Sequence, residues 1–149
     1  MSLAPILIFG YGNLGRGDDA LGPDLVAAIH REALPGVECI DDIQLQIEHV
    51  IDLEGRQKVL FVDADESCAP PYLFENIYAE KDGSYTSHAM TPQALLHAYK
   101  QVHGRDAPQA FLLRVRGYRF SLGEKMTEGA HANLAEALDR VKIFCREKS

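Results

Sequence analysis

"APILIFGYGNLGRGDDALGPD", residues 4–24, is the stretch of the chain that decides the fold. The apolar run at residues 5–9 ends in glycine, which predicts a short buried strand. Apolar side chains then recur at helical spacing from Leu21 onwards, and Pro23 suits a first helical turn. Glycines in the spacing G-x-G-x-x-G and the aspartates Asp18 and Asp19 lie between the two. This loop is expected to hold either a nucleotide or a ligand that prefers carboxylates.

Periodicity along the remaining chain predicts strands that alternate with helices. This alternation indicates an α/β fold in a single domain over residues 1–149, with a mostly parallel twisted sheet of about five strands. Helices are expected on both faces, and the weak fourth strand is expected at an antiparallel edge. The predicted strands cover residues 5–9, 37–40, 59–62, 73–78 and 110–115, and the predicted helices cover residues 21–33, 45–53, 91–102 and 127–146, with Thr127 as the N-cap of the last helix.

The composition excludes several classes of protein. A net charge of -7 argues against nucleic-acid binding, because nucleic-acid phosphates are attracted to basic surfaces. No apolar stretch approaches the roughly 20 residues that cross a bilayer, and the first residues do not resemble a signal peptide. Three scattered cysteines, without a CxxC pair, are typical of reduced thiols. We therefore expect a cytoplasmic protein that binds neither nucleic acid nor membrane.

A nucleotide-binding loop is one interpretation of the glycines. In that fold the helix begins within the glycine motif, so that its amides face the pyrophosphate. Here the predicted helix starts later, and a carboxylate about 5 Å from a phosphate costs roughly 3 kcal/mol at an effective dielectric constant near 20. Asp41 or Asp42, after the second strand, keeps the interpretation open as a ribose-binding acid. A P-loop is excluded because the chain has no Gly-Lys-Ser/Thr.

A metal site is the second interpretation. Asp19 and Asp63 follow the first and third predicted strands, which the connections of a doubly wound sheet commonly make neighbours. With His88, from "YTSHAMTP", they would form an oxygen, oxygen and nitrogen set suited to nickel or zinc. An aspartate after a strand is also typical of a turn or helix cap, which is our interpretation of Asp18 and Asp24. The other histidines lie on predicted helices or at their ends and receive no role: His30, His49, His97, His103 and His131.

A nucleophilic site is the weakest interpretation. The chain has no G-x-S-x-G elbow. Cys68, which follows Asp63 closely, is a candidate for a Cys-His pair with His88. Cys39 lies in a predicted buried strand and is interpreted as a core residue.

Four stretches resemble one family closely. "ILIFGYGNLGRGDDALGPDLVAAI" is similar to the opening of the hydrogenase maturation endopeptidases, which have a strand, G-x-G-N and an acidic pair. "LFVDADES" resembles the family's second acidic motif, "SHAMTPQALL" its histidine stretch, and "VRGYRFSLGEKMTEGAHANLAEAL" its C-terminal segment. The match spans nearly the whole chain in order. "DDIQLQIEHVIDL" is most similar to the branch that processes bidirectional, NAD-linked hydrogenases.

The resemblance implies an activity and a site. Such proteases cut a C-terminal extension from the precursor of the NiFe-hydrogenase large subunit after nickel insertion, and they recognise the nickel in that substrate. Carried over by motif position, the catalytic and metal-binding residues are Asp19, Asp63 and His88. The nickel comes with the precursor, so the purified protein is expected to be metal-free. A non-catalytic chaperone that checks for nickel is the alternative. The residues expected to shape the loop are Gly10, Gly12, Asn13, Gly15 and Gly22.

The chain departs from the family pattern at two places. Many members have glutamate where this sequence has Asp19, and the shorter side chain sets the oxygen back by about one methylene group. The last strand of the family usually leads into a proline-containing loop, whereas residues 120–130 here are "FSLGEKMTEGA". We therefore expect this chain to differ from the family in the metal distance at Asp19 and in the substrate contacts of the late loop.

Overall fold

A computed structural model describes residues 3–81 and 90–147. In the described part a five-stranded sheet has the order β2-β1-β3-β5-β4. The first four strands in this order are parallel, and β4 is antiparallel to β5 at one edge. The strands are β1 (Ile6–Tyr11), β2 (Val37–Asp42), β3 (Lys58–Asp65), β4 (Tyr72–Ile77) and β5 (Gln109–Arg116), and the helices are α1 (Leu21–Glu32), α2 (Val50–Leu53), α3 (Pro92–His103) and α4 (Glu128–Arg146).

Two apolar layers lie on opposite faces of the sheet. Along β1 and β3, alternate side chains enter different layers, as the period of two in a strand requires. The apolar faces of α1 and α4 cover one side of the sheet, and those of α2 and α3 cover the other. The central strands β1 and β3 are buried on both faces, which explains their nearly continuous apolar sequences.

The expected α/β architecture is confirmed. β1 and β3 are neighbours, with Phe9 opposite Phe61, and the weak fourth strand is the antiparallel edge strand. Thr127 caps α4 by accepting a hydrogen bond from the Ala130 N–H (3.2 Å). Thr91 caps α3 in the same way. Within the described ranges, no helix is both long and apolar enough to cross a membrane.

α1 begins at Leu21, as expected, and a 3₁₀ turn at Gly17–Ala20 leads directly into it. Two other expectations are wrong. A helix over residues 45–53 was expected, but the segment is a 3₁₀ turn (Ile47–His49) followed by the short α2. Asp24 is not a cap of α1, since it lies inside the first turn. Glycine and aspartate are poor helix formers, so residues 17–20 give little helical signal in the sequence.

The carboxyl ends of the parallel strands meet at one edge of the sheet. The loop at residues 12–16 follows β1, the pair Asp63 and Asp65 ends β3, and the loop at residues 117–127 follows β5. Ligand sites of parallel α/β sheets lie at this edge. The expected site residues that the structure describes are therefore found here.

Candidate functional site

Asp19 is held in place by the loop that precedes it. The Asn13 N–H donates to Asp19 Oδ2 (2.8 Å), and the Asp19 N–H donates to the Arg16 carbonyl (3.1 Å). The Asn13 side chain in turn accepts from the Gly15 N–H (2.8 Å). These bonds fold residues 13–19 into a closed loop. One carboxylate oxygen of Asp19 is thus fixed by the backbone.

Close approach of backbones requires glycine at two positions of this edge. Gly12 has φ +152°, and a Cβ there would lie 2.0 Å from the Asp19 carbonyl oxygen. A Cβ on Gly22 would lie 2.6 Å from the Tyr11 carbonyl and 2.8 Å from that of Val62. Both distances are far inside van der Waals contact. The absence of these side chains lets the start of α1, and Asp19 before it, lie directly against the ends of β1 and β3.

Most backbone N–H groups of this loop are already hydrogen-bonded and are therefore not available to a phosphate. A dinucleotide turn needs free N–H groups that point at the pyrophosphate. Here the N–H of Gly17 donates to the Glu124 carbonyl (3.1 Å) and that of Asp18 donates to the Arg119 carbonyl (2.7 Å). Five further N–H groups of the loop donate to partners within the loop or on β2. They are those of Gly12, Asn13, Gly15, Arg16 and Asp19. This bonding pattern argues against a nucleotide site.

Asp63 is the most perturbed carboxyl group of the described edge. Its Oδ1 accepts a hydrogen bond from the Ala64 N–H (2.8 Å). Burial, together with the negative charges of Asp19 and Asp65, raises the pKa of Asp63 to about 7, against the opposing effect of the Ala64 N–H. Asp19 packs against Gly12 after β1, and Asp63 follows Val62, the partner of Gly10, on β3, so both carboxylates lie at the same edge of the sheet. At neutral pH, Asp63 therefore exchanges readily between its protonated and ionised forms.

Tyr11 is a site residue that the sequence interpretation missed. It is the last residue of β1 and lies on the sheet face that carries Phe9. Burial, and then the adjacent Asp63 carboxylate, raise the pKa of Tyr11 well above its ordinary value. The hydroxyl is therefore a permanent hydrogen-bond donor beside Asp63. The period of two along β1 and β3 could have revealed this neighbour, because Phe9 and Phe61 share the same face.

Asp18 is buried and is neither a ligand nor a cap of its own helix. Its side chain is fully inaccessible and accepts N–H bonds from Tyr118 (2.7 Å), Arg119 (3.1 Å) and Thr127 (2.7 Å), and an O–H bond from Thr127 (2.8 Å). Burial alone would raise the pKa of Asp18, but these hydrogen bonds outweigh it and hold the pKa below its usual range. Asp18 thus connects the segment before α1 to the loop before α4 through hydrogen bonds.

The acidic residues at the end of β2 have different environments. Asp41 is exposed, whereas Asp42 accepts from the Ile43 N–H (2.7 Å) and lies 3.2 Å from His49 Nε2. The Gln46 N–H donates to His49 Nδ1 (2.8 Å), so the ring hydrogen is on Nε2, which donates a hydrogen bond to the Asp42 carboxylate. His49 therefore has a structural role that the sequence interpretation did not assign. Asp42 is engaged and is not free to bind a ribose.

Two groups near Asp63, the Asp65 carboxylate and the Cys68 thiol, are also hydrogen-bonded. Asp65 accepts from the N–H and hydroxyl of Ser67 (both 2.7 Å). The Cys68 thiol donates to the Arg114 carbonyl (3.6 Å), and burial raises the pKa of Cys68. Burial also raises the pKa of Cys39 to about 11. These thiols stay protonated, which argues against the Cys68 nucleophile.

His88 lies outside the described residues, so its place relative to Asp19 and Asp63 stays a prediction. Among residues 3–81 and 90–147, no group of three or more His, Cys, Asp or Glu side chains is arranged to hold a metal ion. The roles of Asp19 and Asp63 as metal ligands therefore stay predictions. A divalent ion would need a further ligand from His88 or from the substrate itself.

Comparison with known proteins gives structural neighbours only. No model of a known protein family matches the chain, and no curated protein matches it significantly. The fold is similar to the NiFe hydrogenase maturation protease HycI from Thermococcus kodakarensis KOD1, with TM-score 0.73, 22% identity, and coverage of 97% of this chain and 94% of that one. It is also similar to the hydrogenase maturating endopeptidase HybD from E. coli, with TM-score 0.74, 22% identity, and coverage of 95% and 91%.

A third structure extends the same likeness. The hydrogenase 2 maturation peptidase from Thaumarchaeota archaeon SCGC_AB-539-E09 has TM-score 0.69 and 22% identity, and the alignment covers 96% of this chain and 99% of that chain. Nearly the whole length of each protein is therefore superimposed. At these identities the likeness establishes that the chain has the fold of these maturation proteases.

Asp18→Asn is expected to lower the free energy of unfolding by about 3 kcal/mol, because the amide NH₂ would face bonded N–H and O–H donors. The contribution of the ionised Asp18 to the free energy of unfolding is present above about pH 4 and is lost as the pH falls through the lowered pKa of Asp18. Urea denaturation at neutral pH measures the change. Asp139→Asn, at an exposed position of α4, is the control and should change little. Equal stability of both variants would contradict the role of Asp18.

Asp63→Asn is expected to stabilise the protein at high pH and not at low pH. The raised pKa means that ionisation of Asp63 costs folding free energy as the pH rises from about 4 through about 7. Asparagine keeps an acceptor for the Ala64 N–H and cannot ionise. A gain on the order of 2 kcal/mol is expected at about pH 8, and none at about pH 4. Denaturation curves that show destabilisation at both pH values would refute the account of Asp63.

Proposed function

We propose that this protein is a cytoplasmic endopeptidase that processes a hydrogenase. It removes the C-terminal extension of the NiFe-hydrogenase large-subunit precursor after nickel insertion, and it uses the substrate's nickel as the recognition element. The observation that carries the proposal is the placement of Asp19 and Asp63 at the same edge of the sheet, where Asp19 packs against Gly12 after β1 and Asp63 follows Val62, the partner of Gly10, on the neighbouring β3. The fold shared with the maturation proteases supports it.

The two carboxylates suit a metal that arrives with the substrate. Each has one oxygen fixed by a backbone N–H, from Asn13 and from Ala64, and a bound ion would share the Asp63 carboxylate with the Tyr11 hydroxyl. A bound divalent cation would also favour the ionised form of Asp63, which burial disfavours. Two side-chain oxygens and one imidazole, from His88, make an incomplete coordination shell. Such a set binds free metal weakly and gains affinity when the substrate supplies further ligands.

The chemistry of hydrolysis follows from the ion and from Asp63. Nickel can polarise the scissile carbonyl or lower the pKa of a bound water. Burial favours the protonated form of Asp63 before the substrate binds, whereas a bound cation would favour the ionised form, so binding of the nickel-loaded precursor would release a proton from this carboxyl group. Tyr11 donates a hydrogen bond beside Asp63 and keeps its own proton. The described thiols stay protonated, so the activity would depend on the metal that the substrate carries.

The proposed substrate belongs to a particular hydrogenase type. The stretch "DDIQLQIEHVIDL" runs from the end of β2 through α2 and is similar to the branch that serves bidirectional, NAD-linked hydrogenases. Its position at the carboxyl edge, next to the site loop, suits a role in substrate choice. We propose a precursor of this hydrogenase type as the substrate.

The direct test is incubation of the purified protein with nickel-loaded and with nickel-free precursor, followed by mass spectrometry. A shortened large subunit is expected only from the nickel-loaded form. Asp19→Asn, Asp63→Asn and His88→Ala should each lower the rate on the order of a hundredfold, because each removes a ligand of the ion. Asp139→Asn, on the distant α4, should process at the wild-type rate.

Each other outcome has a definite meaning. Binding of the nickel-loaded precursor without a shortened product would identify a nickel-checking chaperone and refute the protease. Equal cleavage of both precursor forms would refute nickel recognition. Full activity of Asp63→Asn would remove Asp63 from the catalytic site.

A further inference from the structure

The strand at one end of the sheet, β2, has a free backbone edge. Within the described residues β2 pairs only with β1. The Ile6 N–H donates to the Gly36 carbonyl and the Gly12 N–H donates to the Asp42 carbonyl (both 3.1 Å), so even-numbered residues of β2 bond to β1. The odd-numbered residues direct their N–H and C=O groups away from the sheet, and these residues are Val37, Cys39 and Asp41.

A groove runs along this free edge. Two concavities of about 340 and 260 Å³ share Leu14, Pro23 and Asp41, and together they lie between α1 and β2. One end reaches Gly12, whose backbone touches Asp19. The other end reaches Cys39 and, along α1, Ala27 in the second turn and His30 in the third. The groove thus connects the outward backbone groups of β2 with the candidate site.

The lining of the groove is apolar and acidic. Leu14 and Ile43 are 64% and 67% exposed, which is unusual for aliphatic side chains that sit side by side in one concavity. Asp24, Asp41 and Asp42 supply the charge, and the described lining residues include no lysine or arginine. Apolar side chains together with a basic one would therefore complement the groove.

We propose that an extended segment of the substrate precursor, with apolar and basic side chains, pairs with the free edge of β2 as a sixth strand and is thereby led to Asp19 and Asp63. The inference rests on the proposed function for the identity of the segment. Main-chain hydrogen bonds to residues 37, 39 and 41 would supply affinity, and every second side chain would enter the groove. A second copy of this chain fits less well, because it would bring two acidic edges together.

A first experiment measures amide hydrogen exchange of β2 by NMR. The probe is a synthetic peptide that covers the precursor's C-terminal extension and the residues before it. On binding, the amides of Val37, Cys39 and Asp41 should exchange about tenfold more slowly, whereas those of β4, at the other edge, should not change. Peptides N-methylated at alternate residues extend the test, because one alternate set should lose binding and the other should keep it.

A second experiment fills the groove without changing the site. Ala27→Trp places a large side chain at an exposed position of α1 that lines the groove, and it should raise KM for the precursor about tenfold with kcat unchanged. Ala135→Trp, at an exposed position of α4, is the matched control and should leave both constants unchanged. Circular dichroism of the two variants checks that both fold.

The outcomes separate this inference from the proposed function. If wild-type protein processes the precursor while the β2 amides stay unprotected and Ala27→Trp has the wild-type KM, the edge pairing is refuted and the protease stands. If the amides become protected and only one N-methylated set binds, but no precursor is cut, the pairing stands and the protease is refuted. Concentration-dependent protection without peptide, at the mass of a dimer, would assign the edge to a second copy and overturn the inference.

Discussion

One buried carboxylate, Asp18, holds the carboxyl edge of the sheet together. Taking a charge out of water is costly, and here the cost is offset by four hydrogen bonds from Tyr118, Arg119 and Thr127. The Thr127 hydroxyl also caps α4. Backbone bonds between residues 15–18 and 119–124 reinforce the same junction. A segment near the start of the chain and one near its end thereby form a single unit.

The candidate site depends on this junction. Asp18 directly precedes Asp19 in the chain. The hydrogen bonds that hold the Asp18 carboxylate therefore also fix the backbone from which the Asp19 side chain extends. The glycines at positions 12 and 22 allow the backbones to meet there. Two aspartates of this edge, Asp18 and Asp63, have opposite environments. Asp18 is stabilised as an anion by fixed donors, whereas Asp63 resists ionisation because burial and neighbouring carboxylates oppose it. Divergent pKa values of this kind are typical of functional sites.

Much of the fold could be predicted from the sequence, because local periodicity and the crossover rule act on long, clear elements. The neighbouring positions of β1 and β3 follow from these rules, and so does the placement of Asp19 and Asp63 at one edge. The role of Asp18 could not be predicted, since its donors lie about a hundred residues away in the sequence. The 3₁₀ turn at Gly17–Ala20 could not be predicted, because its glycine and aspartates give little helical signal. The Asp42–His49 pair depends on a turn that periodicity does not reveal, and the position of His88 remains a prediction.

The central claim is that Asp19 and Asp63 meet a metal ion carried by the substrate. Nickel K-edge X-ray absorption of a freeze-trapped complex between the protein and nickel-loaded precursor tests this contact directly. The account predicts that oxygen and nitrogen neighbours join the nickel's first shell when the complex forms, and that Asp19→Asn reduces them. A nickel spectrum identical to that of the precursor alone, in a complex that goes on to release the shortened subunit, would contradict it.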